Sequence, residues 1–277
     1  MNYNKKQRYL QIAKLLATKA GGIHRKYFGK PFTVESKSTG IDLVTEADLK
    51  ADSAIRRYLY KHCPDDILMT EETFEEGQAI DLSHTWVVDP LDGTTNFAHH
   101  MPHFAVSIAY FENGEPQVGV VYDPIKKELF SAIEGGGAFL NDTPILPSMC
   151  DDIAKSLLVS GFPYDSATNP SNNLETFVRI KKLCHGVRRF GAAALDLCYV
   201  ACGRFDGYWE IRLSPWDVAA GALIASEAGV KVSDLAPEDA KAPAKFAQRS
   251  VDILATATSN LHEQVHAAVF EKISVKA

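Results

Sequence analysis

The stretch Trp86-Val87-Val88-Asp89-Pro90-Leu91-Asp92-Gly93-Thr94-Thr95-Asn96-Phe97 constrains the fold more than any other part of the chain. Residues Thr85 to Val88 are aromatic and β-branched, which predicts a buried strand. That strand ends in two carboxylates, Asp89 and Asp92, with Pro90 stiffening the turn between them. Gly93 lets the backbone turn tightly, and Thr94 and Thr95 offer hydroxyls where a helix starts. A chain folding this way brings hard oxygen ligands beside free backbone N–H groups. Carboxylates of this kind hold Mg²⁺ or Ca²⁺, and the N–H groups of a helix start attract phosphate. The stretch therefore predicts a metal-dependent phosphate site.

Ordinary turn chemistry also puts Asp and Gly at strand ends, so the surroundings must decide. A calcium loop of the EF-hand kind does not fit, because its twelfth position counted from Asp89 is His100 rather than Glu. A phosphatase pattern with two aspartates on one strand face, two residues apart, also fails, since Asp89 and Asp92 are three apart. Two other acidic segments have a fitting context. Ile67-Leu68-Met69-Thr70 reads as a strand ending in Glu71-Glu72, of which only one can point with the strand-end ligands. In Ser214-Pro215-Trp216-Asp217, Pro215 suits a first helical turn and puts Asp217 near that helix's N-terminus. The small residues Ala219, Ala220 and Gly221 let this helix pack closely on a neighbour.

These motifs, in this order, resemble the inositol monophosphatase family of Mg²⁺-dependent, lithium-sensitive phosphatases. Asp42-Leu43-Val44-Thr45-Glu46-Ala47-Asp48, Gly161-Phe162-Pro163-Tyr164-Asp165 and Arg204-Phe205-Asp206-Gly207-Tyr208-Trp209-Glu210 extend the resemblance from about Lys5 to the final helix. It implies a five-layer αβαβα sandwich of the inositol monophosphatase and fructose-1,6-bisphosphatase type, with α+β or α/β layering. By resemblance, Glu71, Asp89 and the carbonyl of Leu91 hold one Mg²⁺, while Asp89 bridges to a second held by Asp92 and Asp217. A third, weaker ion lies near Glu71. The same resemblance makes Asp48 the acid that orients Thr94, so that Thr94 can accept a proton from an attacking, metal-activated water. Gly93 and Thr94 N–H groups would steady charge on the phosphoryl group. Asp92, Ala193 and Glu210 would contact the polyol. Ala192 stands where Ser or Thr is usual, which removes one candidate hydrogen bond to the substrate. Carboxylates this close repel, so without cations at least one should have a raised pKa.

The implied activity is that of an inositol-1-monophosphatase-like phosphoric monoester hydrolase. Fructose 1,6-bisphosphate, histidinol phosphate, NADP or a 3′-phosphonucleotide are alternative substrates. Each brings an extra phosphate or a base that needs a further basic or aromatic subsite, and no insertion advertises one. A third reading is a binding protein acting on RNA or the transcription machinery, as some bacterial relatives resemble. A net charge of −6 argues against nucleic acid as the main partner. Resemblance also implies a homodimer. The N-terminus leads into an amphipathic helix rather than an apolar run, so no membrane partner and a cytoplasmic location are expected.

The 277 residues suffice for one compact domain, with an α+β half to about residue 145 and an α/β half from about 146. Periodicity predicts helices over 5–19, ended by Gly21-Gly22, and from a Thr45 cap onward. Further helices are expected over 172–184, 192–202, 215–228 and 260–274. Strands are expected over 67–70, 85–89, 105–113, 117–122, 128–132, 157–160, 207–210 and 251–255, with an Asn113-Gly114 hairpin turn. Gly135-Gly136-Gly137 lacks a following G-K-[ST] and reads as a turn. Arg188 and Arg189 suit phosphate or a subunit interface, Lys37 suits the third metal site, and His99, His100 and His103 are a weak candidate metal cluster. Cys198 and Cys202 share a helix face as small hydrophobes.

Overall fold

A computed structural model of the chain describes residues 1–30, 34–36, 43–75, 77–236 and 244–270. Helix α1 (Tyr3–Tyr27) starts where the Asn2 side chain accepts from the Lys5 N–H at 2.9 Å. An antiparallel ribbon of β1 (Val34–Ser36) and β2 (Leu43–Thr45) leads into α2 (Glu46–His62). The first sheet has seven strands, β3 (Ile67–Thr70), β4 (His84–Asp92), β5 (Ala105–Glu112), β6 (Glu115–Asp123), β7 (Glu128–Ile133), β8 (Ala138–Leu140) and β9 (Thr143–Pro144), in that spatial order. Only β3 and β4 run parallel. The short helix α3 (Thr94–Ala98) fills the connection after β4.

A second, five-stranded sheet follows, built from β10 (Leu157–Ser160), β11 (Gly186–Arg188), β12 (Gly207–Leu213), β13 (Lys231–Asp234) and β14 (Val251–Thr256) in the order β11-β10-β12-β14-β13. Helices α4 (Leu174–Lys181), α5 (Ala193–Ala201), α6 (Pro215–Ala228) and α7 (Ser259–Phe270) complete this half. Helices α1 and α2 cover the outer face of the first sheet, α5 and α6 lie between the sheets, and α4 and α7 cover the far side. The protein is thus a five-layer αβαβα sandwich.

Residue choice explains the layering. Helix α6 is apolar on nearly every side, as a helix buried between two sheets must be. Its small residues set close contacts: a Cβ added to Gly221 would meet the Leu197 side chain at 2.9 Å, and one on Gly119 of β6 would meet the Ala220 carbonyl oxygen at 2.8 Å. Under the first sheet, Tyr9, Trp86 and Tyr110 pack together, with Tyr9 stacked on Trp86 at 5.2 Å.

Most expected elements are present, with informative departures. Helix α1 does not stop at Gly21-Gly22. A Cβ at Gly21 would come within 2.6 Å of the Tyr122 ring, so this glycine lets α1 lie flat on β6 rather than ending it. Strand β4 continues past Asp89 to Asp92, which pairs with Ala105 after a register shift. The irregularity absorbs Pro90, which has no N–H for the ladder. The Asn113-Gly114 turn forms with both residues at positive φ, 56° and 83°. Lys37 and Asp42 lie outside the described residues, as does the expected end of the last helix. Among the described residues no helix is long and apolar enough to cross a membrane.

Candidate active site

Four helix starts meet beside the carboxyl end of β4, and three of them are capped by aspartates expected at the site. At α2, Asp48 forms a capping box with Thr45: its Oδ2 accepts from the Thr45 N–H at 2.9 Å and from the Thr45 hydroxyl. At α6, Asp217 Oδ2 accepts from the Ser214 N–H at 2.7 Å. At α5 the N-cap residue is Ala192, which has no polar side chain. Asp92 reaches across from β4 instead and accepts from the Ala194 N–H at 2.9 Å. The fourth start is α3, which begins at Gly93 with φ 90°. Each start turns the positive end of its helix dipole toward the same region.

The space between them is a cavity of about 450 Å³ lined by Glu71, Asp89, Leu91, Asp92, Gly93, Thr94, Ala193, Glu210 and Asp217, among others. The structure therefore gathers at one pocket the acidic metal ligands, the Leu91 carbonyl and the substrate contacts that the family resemblance implies. Asp48 stands just behind it, where its Oδ1 accepts from the Thr94 hydroxyl at 3.1 Å; the Leu91 carbonyl is a second acceptor for that hydroxyl at 3.0 Å. Of the Glu71-Glu72 pair, Glu71 lines the pocket. Glu210 is held from two sides. The Tyr208 hydroxyl donates to its Oε2 at 2.9 Å, and a Cβ on Gly161 would overlap its carboxylate at 2.1 Å.

The carboxyls of this pocket crowd one another. Burial, then the charges of Glu71, Asp92 and Asp217, push Asp89 well above the carboxylate range. Burial and Glu71 do the same to Asp217. Burial pushes Asp48, Asp92 and Glu210 up to about 7 each, against the lowering effect of their hydrogen bonds. As placed, no three of the described His, Cys, Asp or Glu side chains converge closely enough to hold an ion. The donors are nonetheless hard oxygens whose repulsion a divalent cation would relieve, which is the set Mg²⁺ takes.

A stability prediction follows from these shifts. A carboxyl with a folded pKa above its unfolded value of about 4 keeps its proton longer when folded, so it loses stability as pH rises toward and through the folded value. His24 and His103, kept neutral by burial, act in the opposite sense, but only below their unfolded value of about 6.5. Between about pH 6.5 and 8.5 the carboxyls therefore dominate. In EDTA, Tm is expected to fall across that window, and saturating Mg²⁺ to suppress the fall. A Tm flat in EDTA over the window would refute the mutual-repulsion account.

The profile of the inositol monophosphatase family matches residues 5–274. The chain belongs to the inositol monophosphatase family. It is 46% identical over 235 residues to an inositol-1-monophosphatase from Synechocystis, covering 84% of this chain and 82% of that protein. It is 44% identical over 227 residues to the Nus factor SuhB of Escherichia coli, covering 81% and 84%. The solved structure of inositol monophosphatase from Anabaena superposes with a TM-score of 0.82 at 41% identity, covering 95% of both chains.

Within this family frame some sequence expectations need correction. Ala192 is wholly buried at the start of α5 and does not line the pocket; Ala193 does. Position 192 is the N-cap of α5, and with no hydroxyl there Asp92 supplies the acceptor for the helix start. His99 and His100 are exposed while His103 is buried 3.9 Å from Asp196, so the three do not gather. Arg189 lines the pocket, whereas Arg188 turns back toward the Val187 carbonyl. Sequence reading also missed Phe74, Phe162, Tyr164, Trp216, Arg212 and Arg249, all on the pocket wall. Phe162 and Tyr164 share the segment after β10, within a quoted motif, and Trp216 stands beside Asp217; Phe74, Arg212 and Arg249 come from separate parts of the chain that no local pattern links.

Proposed function

We propose that this protein is a Mg²⁺-dependent phosphomonoesterase that hydrolyses small polyol phosphates, with myo-inositol 1-phosphate as the reference substrate. The observation that carries the reading is the Asp48–Thr94 contact directly behind a pocket walled by Glu71, Asp89, Asp92 and Asp217. Those four carboxylates and the Leu91 carbonyl would hold two or three Mg²⁺ ions. Magnesium, when bound, supplies positive charge for the phosphoryl oxygens and acidifies a water.

The chain's own groups do the rest. Thr94 would take a proton from an attacking water on its lone pair as it passes its own hydroxyl proton to the Asp48 carboxylate, 3.1 Å away. The N–H groups at the start of α3 face the phosphoryl site. Glu210, held by Tyr208, and Asp92 select the alcohol by its hydroxyls. A homodimer is carried forward from the family resemblance. A second reading, a role alongside transcription factors, is favoured by the 44% identity to a protein named as a Nus factor.

Phosphate release from a panel of esters, measured with Mg²⁺, with EDTA and with added Li⁺, tests the main reading. Mg²⁺-dependent, Li⁺-sensitive turnover of myo-inositol 1-phosphate is expected. A folded protein that binds Mg²⁺ but releases no phosphate from any ester would remove the hydrolytic reading and leave the binding role.

A further inference from the structure

Helix α3 carries Thr94 and is poorly equipped to hold its own shape. It spans five residues, and its N-cap, Gly93, offers no side-chain cap. Isolated helices shorter than about 12 residues are marginal in water, so outside ties must fix this one. Within the first half of the chain, Thr94 is tied to Asp48 and the Leu91 carbonyl, and Phe97 packs on Phe28 and Phe104. The tie to the second half is Asn96. Its side chain is buried, and its Nδ2 donates to the carbonyls of His103 at 2.8 Å, Phe190 at 2.7 Å and Gly191 at 3.3 Å. Three acceptors around one atom identify it as the NH₂ group.

The turn that Asn96 grips builds one wall of the pocket. Gly191 and Ala193 line the cavity, and Ala193 opens α5. Two side chains of one short segment reach this turn with opposite chemistry. Asp92 accepts from the Ala194 N–H at 2.9 Å, and Asn96 donates to the Phe190 and Gly191 carbonyls. Gly93 and Thr94 lie between the two. Contact there is close: a Cβ on Gly93 would meet the His103 carbonyl oxygen at 3.1 Å and the Gly191 carbonyl oxygen at 3.3 Å. Asn96 thus holds the same two carbonyls against which Gly93 rests. An aspartate at this position would turn a carboxylate on three acceptors, and a leucine would donate nothing.

We propose that Asn96 is a positioning residue for the hydrolytic reaction, clasping the turn at Phe190 and Gly191 to the helix that carries Thr94. The proposal deepens, and rests on, the phosphomonoesterase reading. Asn96 is not among the residues that line the cavity, so it acts through its neighbours. In-line displacement needs the attacking water, the phosphorus and the leaving oxygen on one line. Thr94 serves the water from the first half of the chain, while Ala193 and Glu210 receive the alcohol from the second. The Asn96 amide fixes the spacing between those two sides. A displacement of about 1 Å in such an arrangement can cost roughly 100-fold in rate.

The test measures kcat and KM for myo-inositol 1-phosphate, Tm, and hydrogen–deuterium exchange in the wild type, Asn96→Ala, Asn96→Asp and Asn96→Ser. Asn96→Ala and Asn96→Asp, which both lack the N–H donors, should lose roughly 10- to 100-fold in kcat with little change in KM. Their amides over residues 190–196 should exchange faster while those of β4 stay protected. Asn96→Ser, with one donor on a shorter side chain, should recover part of kcat, and if Asn96→Ala does not fold the serine and aspartate variants carry the comparison. Wild-type kcat in the folded variants overturns the proposal. So does a lower Tm with faster exchange throughout the first sheet and an unchanged kcat per folded molecule, the pattern of a merely structural asparagine. No phosphate release from the wild type overturns the phosphatase reading and the role in catalysis with it, whereas local exchange at 190–196 still reads the clasp itself.

Discussion

Asp89→Asn is expected to lower kcat/KM by more than roughly 1,000-fold while raising the Tm of the protein in EDTA. The two effects have one cause. Asp89 is 1% exposed and faces the charges of Glu71, Asp92 and Asp217, so its own charge is costly unless cations offset it. Asparagine has the same shape, and its Oδ1 can still accept from the Leu91 N–H, a bond of 2.9 Å. The turn should survive while the proposed bridging ligand is lost. Differential scanning fluorimetry with and without Mg²⁺, beside phosphate release, reads both. Full activity at saturating Mg²⁺ would sink the ligand assignment; an unfolded variant would sink the claim that repulsion, rather than packing, dominates here.

The second large effect is at Thr94. Valine there keeps the shape and removes the hydroxyl, so kcat is expected to fall roughly 100- to 10,000-fold with little change in KM. Stability should drop by about 1–3 kcal/mol, because the buried Asp48 Oδ1 loses its donor. Thr94→Ser should restore most of kcat. Asp48→Asn should resemble Thr94→Val, and the double variant should be little worse than either single one, since the two act as a unit. Independent, additive losses would show that Asp48 serves the helix cap and has no part in the reaction.

What could be read from the chain follows a physical division. The strand ending in Asp89, the Thr45 cap and the Pro215 helix start obey local rules of propensity and capping, and each appears where expected. The family motifs carried the identity of the donors. Long-range contacts decided the rest. Gly21 reads as a helix breaker until Tyr122 is seen lying against it. Strands such as β8, β11 and β13, three or four residues long, are too short to show a period. The role of Ala192 depends on Asp92, one hundred residues earlier, reaching across to its helix. The arginines of the pocket wall stand at positions 189, 212 and 249, so no window of sequence contains them.

The capping aspartates also make the protein easy to silence without dismantling it. Asparagine caps a helix about as well as aspartate, so Asp92→Asn and Asp217→Asn exchange a charge for an amide while α5 and α6 keep an acceptor at their starts. Such chains should be folded and inert, and Asp217→Asn, which leaves the proposed alcohol contacts Asp92 and Glu210 in place, is the better suited to hold an intact ester. They are suitable bait for recovering the cellular substrate from a metabolite extract, and a natural starting point for a crystal of the uncleaved complex.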